Sequence, residues 1–295
     1  MNFFQKSIIF VLSILFSSFS AHADVSTDIK VVTTIKPLHS LISRIMETRG
    51  EPQLIIEGTN NPHTFVFKPS HAKMIEEADI VFWIGEDLEA FMEKPLNSLA
   101  KDTKKIAFMD SEFIEKIEFR EKNIFDDHDG HEDEHEGHED DDVHEDEHEG
   151  HDDDHKDAHA HAHGEFDPHI WLDPENAKEM VKIIRDELIK IDPEGQRQYS
   201  VNTAGATLEL DNLINSVEKE LSKDISYIVF HDAYQYFENR FGVIPAGALT
   251  LNPDVLPGAK QIADIQDVIN DKGIKCIFSE PQYNPKIIET LGNDM

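Results

Sequence analysis

Short β-branched apolar runs alternate along this chain with longer stretches whose apolar residues recur at helical spacing. Ile29 to Thr34 reads as a strand, and Pro37 opens a helix through about Met46. Gln53 to Ile56 reads as a second strand and leads into Gly58-Thr59-Asn60-Asn61-Pro62, a cluster of breakers that must be a loop. The pattern then predicts a helix over Pro69–Glu77, a buried strand over Asp79–Ile84, a helix over about Asp87–Leu99 and a strand over Lys104–Met109. Pro174 starts a helix through about Ile191 on the stripe Met180, Val181, Ile183, Ile184, Leu188 and Ile191. Asp192-Pro193 stops it, and a longer helix follows from roughly Glu194 to Leu221. Strands over Ile225–Phe230, Val243–Thr250 and Ile274–Ser279 then alternate with helices over Ala233–Asn239, Gly258–Asn270 and Pro285–Leu291. Strands separated by helices of this length pair in parallel, so the fold class is α/β, with two lobes of mainly parallel sheet flanked by helices and joined by helix.

The start of the chain and its middle are different in kind. Lys6, the apolar stretch Ser7 to Phe19 and the small-x-small triplet Ala21-His22-Ala23 form an export signal over residues 1–23, too short and Ser-rich for a membrane span. Cleavage there leaves no anchor and places the mature chain in a periplasm. Asp126 to His163 holds 11 of the 17 histidines and 19 of the 60 acidic residues, with Lys156 as its only cation. Such a segment has no apolar surface to offset the entropy of ordering, so it is expected to be a disordered loop. Interleaved imidazole and carboxylate suit Zn²⁺, Ni²⁺ or Cu²⁺, which makes the loop a set of weak accessory metal sites rather than a plain acidic tether. The expected division is therefore a first lobe over 24–173 containing this loop, a linker helix over 174–191, and a second lobe over 192–295.

A formal charge of −33 argues against nucleic acid and anionic membrane surfaces and favours cations as partners. Cys276 is the single cysteine, so it is either a buried, inert thiol or half of a bridge whose other half is absent here.

Outside the acidic loop and the signal, five histidines remain. His39 and His71 lie within helical stretches and read as surface or satisfied helix residues. His63 follows a loop after a strand, His169 sits in Asp-Pro-His-Ile-Trp, and His231 ends the strand Tyr-Ile-Val-Phe. In open α/β sheets the carboxyl ends of strands face the binding crevice. Singly, each of the three would more often be a core or capping histidine. Their shared placement raises a metal site in a cleft between the lobes to an equal alternative.

The segments Pro62-His63-Thr64-Phe65, Lys68-Pro69-Ser70, Ala78 to Gly85, Glu89 to Pro95, Asp167 to Leu172, Phe230 to Phe237, Asn252-Pro253, Pro257-Gly258 and Ser279-Glu280-Pro281-Gln282 resemble, in order, the periplasmic zinc-binding proteins of zinc ABC importers. The resemblance covers nearly the whole mature chain and includes the acidic His-rich insertion. It implies a metal site between two α/β lobes connected by a long rigid helix, with His63, His169 and His231 as the ligands of Zn²⁺. It also implies delivery of the ion, as a monomer, to an inner-membrane ABC permease with its ATPase. Pro62 stands where some relatives carry a carboxylate, and the related manganese binders replace the third histidine, so His231 is the discriminating residue. The resemblance further implies a strand and helix beyond Met295, bringing an Asp to the site, so the chain is expected to be truncated there. Three histidines with an open position also describe a catalytic zinc hydrolase. There is no His-Glu-x-x-His helix and no carboxylate placed by sequence as a general base, so no enzyme activity is expected. A metal-dependent adhesin or zinc buffer shares every feature of the carrier.

Overall fold

The computed structural model describes residues 29–124, 164–251, 253, 257–283 and 286–292. The signal over 1–23 and the acidic loop over 126–163 lie outside the described residues.

Two all-parallel sheets organise the chain. The first, in the order β2-β1-β3-β4, contains β1 (Val31–Thr33), β2 (Gln53–Leu54), β3 (Ile80–Trp83) and β4 (Lys104–Ala107). The central strands β1 and β3 are buried along their whole length, which is why they read as unbroken apolar runs rather than alternating ones. The pairing of β2 continues past its formal end, because Ile55 and Ile56 donate to the carbonyls of Thr33 and Thr34 at 2.9 Å each. Its helices are α1 (Lys36–Met46), α2 (Pro69–Glu76), α3 (Glu86–Glu89) and α4 (Glu93–Ser98). The single helix expected over 87–99 is broken by a 3₁₀ turn at Ala90–Met92. Pro95 is the reason: in a continuous helix its ring would strike the carbonyl of Phe91, so the helix restarts with Pro95 in its first turn.

α5 (Pro174–Ile191) has Pro174 at its first position and is capped by the Asp173 carboxylate, which accepts from the Glu175 N–H at 2.8 Å. Met180, Val181, Ile184 and Leu188 are fully buried against the core of the first sheet, each stabilising by roughly 1.5–3 kcal/mol. α6 (Gln196–Glu220) has 25 residues, about 37 Å at the helical rise. It packs along α5 and α1, and Tyr199 and Ala206 bury into the same core.

The second sheet, in the order β6-β5-β7, contains β5 (Ile228–His231), β6 (Gly247–Thr250) and β7 (Ile277–Phe278). α7 (Gln235–Phe241), α8 (Ala259–Lys272) and α9 (Lys286–Gly292) accompany it. α7 and α8 each end on a glycine in the left-handed region, Gly242 at φ 65° and Gly273 at φ 61°. A separate core forms around Ile228, Phe230, Leu249, Ile265 and Ile269. Cys276 is exposed and free, which removes the buried-thiol reading. Among the described residues no helix is long and apolar enough to cross a membrane.

Candidate metal site

The three histidines singled out in the sequence come together, although only His63 and His231 follow strands: among the described residues no strand leads into His169. His63 lies in the loop after β2, His169 immediately precedes the 3₁₀ turn Ile170–Leu172, and His231 is the last residue of β5. One nitrogen of each lies within 4.8 Å of the others. Ring centroids are 5.4 Å apart for His63–His169, 5.8 Å for His63–His231 and 5.2 Å for His169–His231. His169 and His231 are buried, whereas His63 is half-buried.

Local chemistry holds each ring. The N–H of His63 donates to the Asn61 side chain at 2.9 Å, a tight turn that aims the loop inward. The Asn61 amide also donates to the hydroxyl of Tyr283, from the segment after β7, at 3.3 Å. His169 is fixed twice by Asp167, through its backbone N–H at 2.9 Å and through Nδ1 at 2.6 Å. His231 Nδ1 is 2.5 Å from Glu280 Oε1. Asp167 is in turn held by Gln235 at 3.2 Å, and Glu280 Oε2 accepts from Gln282 at 2.9 Å.

These contacts favour one tautomer. Where a carboxylate accepts from Nδ1, a neutral ring carries its proton there and its Nε2 presents a lone pair. The two Nε2 atoms face one another at 3.4 Å. Two lone pairs at that distance repel, and a cation between them turns repulsion into attraction. Two imidazole nitrogens bound tetrahedrally to zinc stand about 3.3 Å apart. Burial holds the His231 ring below its ordinary pKa, with Glu280 pulling the other way, so the ring is neutral and ready to bind at neutral pH.

Asp167 and Glu280 are the residues that sequence reasoning did not assign. The spacing Asp-x-His was a signal for Asp167; Glu280 lies in a segment that carries part of the resemblance, but at 49 residues from its histidine nothing local pairs the two. Asp232, beside His231, turns away to Arg120, and burial pushes its carboxyl up to about 7. His71 serves its own helix, and His39 ties α1 to the chain entering β2. His39 Nε2 meets the Pro52 carbonyl at 3.0 Å, and His71 Nδ1 accepts from the Lys68 N–H at 3.1 Å.

Residues 31–295 match the family described as ZnuA, zinc-uptake complex component A, periplasmic. The chain belongs to this family. It is 42% identical over 264 residues to the high-affinity zinc uptake system protein ZnuA of Brucella abortus (strain 2308), covering 88% of this chain and 79% of that protein. Among solved structures, a crystal structure of ZnuA superposes with a TM-score of 0.69 at 21% identity, covering 90% of this chain and 88% of that one. The periplasmic zinc-binding protein TroA from Treponema pallidum gives a TM-score of 0.67 at 18% identity, covering 90% and 82%. At those identities the superpositions speak for the fold: mainly parallel sheets flanked by helices, with one long helix.

Proposed function

We propose that this chain is the periplasmic carrier of a zinc importer, and that His63, His169 and His231 are the ligands that capture Zn²⁺. The carrying observation is the pair of Nε2 atoms held 3.4 Å apart, with a carboxylate behind each ring. Family membership supports the same reading. Three neutral imidazoles leave a fourth tetrahedral position for water or an oxygen ligand. Asp167 and Glu280 together supply two negative charges to set against the two positive charges of the ion, so a loaded site carries no net charge into the protein interior.

The lobes of this carrier divide by packing. The first sheet with α1 to α5 forms one lobe, because α5 buries its apolar face in that sheet's core. α6 is the long strut, and the second sheet with α7 to α9 forms the other lobe. The carrier hands its ion, as a monomer, to an inner-membrane permease driven by an ATPase, and the segment 126–163 adds weaker zinc sites.

The reading is tested by competition of zinc between the protein and a chelator, using a variant without residues 126–163. His63→Ala, His169→Ala and His231→Ala should each weaken binding by orders of magnitude. Binding should also weaken steeply as pH falls through the imidazole range near about 6.5, because protons displace the ion from its ligands. Three variants that all titrate like the parent would sink the assignment.

A further inference from the structure

Residues 115–124 run as a strap across the back of the site, joining the first sheet's partners to the second sheet. At its start, Glu115 and the Asn176 side chain of α5 exchange two hydrogen bonds of 2.9 Å. Ile117 then accepts from the Asp167 N–H at 2.8 Å and donates to the Tyr236 hydroxyl at 3.1 Å. That hydroxyl donates onward to the Asp167 carbonyl at 2.7 Å, so the strap grips the backbone of the residue that orients His169. At its far end, Asn123 accepts from the Ala248 N–H at 2.8 Å, and Ile124 bridges Gly247 in antiparallel fashion on the β6 edge.

Between these anchors stands Arg120. Its Nη1 donates to Asp232 Oδ1 at 2.6 Å and its Nη2 to Glu238 Oε2 at 2.8 Å. Asp232 and Glu238 are 3% and 1% exposed, and they bracket the turn that carries the chain from His231 into α7. Tyr227, just before β5, donates to the other oxygen of Glu238 at 3.3 Å. A fork that bonds both carboxylates at once fixes their separation, which a point-like ammonium does not. The zinc chemistry proposed above does not use Arg120, Asp232 or Glu238, yet the group is buried beside a ligand.

We propose that Arg120 is a positioning residue of the metal site: it clamps the turn after His231 to the strap that holds Asp167, and so sets the spacing of His231 from His169. This inference rests on the zinc reading of the histidine cluster. Tight zinc binding therefore depends on a side chain that never meets the ion, and on a connection between the halves of the site that is separate from α6.

The test compares the full chain with Arg120→Met, Arg120→Lys and, as a stability control, Arg49→Met. Arg49 makes a buried fork to Asp192 at 2.8 and 2.9 Å, on the α5–α6 corner. Zinc affinity is read by chelator competition, thermal stability on the zinc-free protein, and ligand geometry from the visible spectrum with one equivalent of Co²⁺. Arg120→Met should weaken the tight site by about 10-fold, the low end of the loss that follows removal of a direct outer partner of a metal ligand, and shift the Co²⁺ bands, because the turn after His231 loses its tie to the strap. Arg120→Lys, which keeps the charge without the fork, should recover part of the affinity. Arg49→Met should lower the melting temperature while holding affinity within about twofold of the parent. Zinc affinity of Arg120→Met within twofold of the parent overturns the proposal, whatever happens to its stability. If that variant does not fold, Arg120→Lys decides alone: parental affinity and an unchanged Co²⁺ spectrum overturn it. Unchanged binding in His231→Ala would instead overturn the zinc reading beneath it.

Discussion

Glu89 is fully buried at the carboxyl end of β3, and burial pushes its pKa up to about 7 although its Oε2 accepts from the N–H groups of Ile84 and Gly85 at 2.8 and 3.2 Å. In the unfolded chain the same carboxyl titrates near 4.5. Between those values the folded protein keeps a proton that the unfolded chain has released, so stability falls as pH rises from about 4.5 to about 7 and is level above that. A difference of roughly 2.5 pH units at 1.36 kcal/mol each is worth about 3 kcal/mol. Glu89→Gln retains a carbonyl oxygen for both N–H groups and is neutral at every pH, so it should lack this slope. Urea unfolding of the zinc-free protein and the variant, at intervals from about pH 5 to pH 8, isolates the term, because every other titrating group is common to both. The variant should gain most of that 3 kcal/mol on the parent as pH rises through the window. Parallel profiles would mean that Glu89 ionises in the fold as it does in water, and the burial argument would fail.

Two further perturbations bear on the site. Glu280→Gln and Asp167→Asn should each weaken zinc binding by about 10–100-fold, or roughly 1.4–2.8 kcal/mol, since each replaces a charged group that can only accept with a neutral amide that can also donate to Nδ1 and so no longer fixes the tautomer. Chelator competition measures this, and parental affinity in both variants would remove the carboxylates from the mechanism. Gly247 has no room for a side chain, because a Cβ there would stand 2.6 Å from the Asn123 carbonyl oxygen. Gly247→Ala should therefore cost about 1–3 kcal/mol by displacing the strap, read as a lower urea midpoint with unchanged slope.

Much of this architecture was legible in the sequence because its signals are local. Val31–Thr33 and Ile80–Trp83 announce buried parallel strands by being apolar on both faces, and Pro37, Pro69 and Pro174 mark helix starts. His63 and His231 stand after strands of the two sheets, and the ordered resemblance added His169 to them; the structure brings the three together. What stayed hidden is long-range. Arg120 meets Asp232 across 112 positions, and its surroundings, Glu118-Phe119-Arg120-Glu121-Lys122, look like solvated surface. Glu280 sits in a Ser-Glu-Pro turn whose partner only the pairing of β5 with β7 reveals. The interruption of the helix before Pro95 was a local signal that the apolar periodicity obscured.

The direction in which the carboxylates point separates a carrier from a hydrolase. A metal hydrolase needs a base on the ion's open side, within reach of a bound water. Here the acidic groups beside the cluster are committed behind the imidazoles. Asp167 gives one oxygen to His169 and the other to Gln235, Glu280 gives one to His231 and the other to Gln282, and Asp232 turns to Arg120. Such groups strengthen the hold of a histidine on its ion and balance charge, but they are placed to take no proton from a water on the far face.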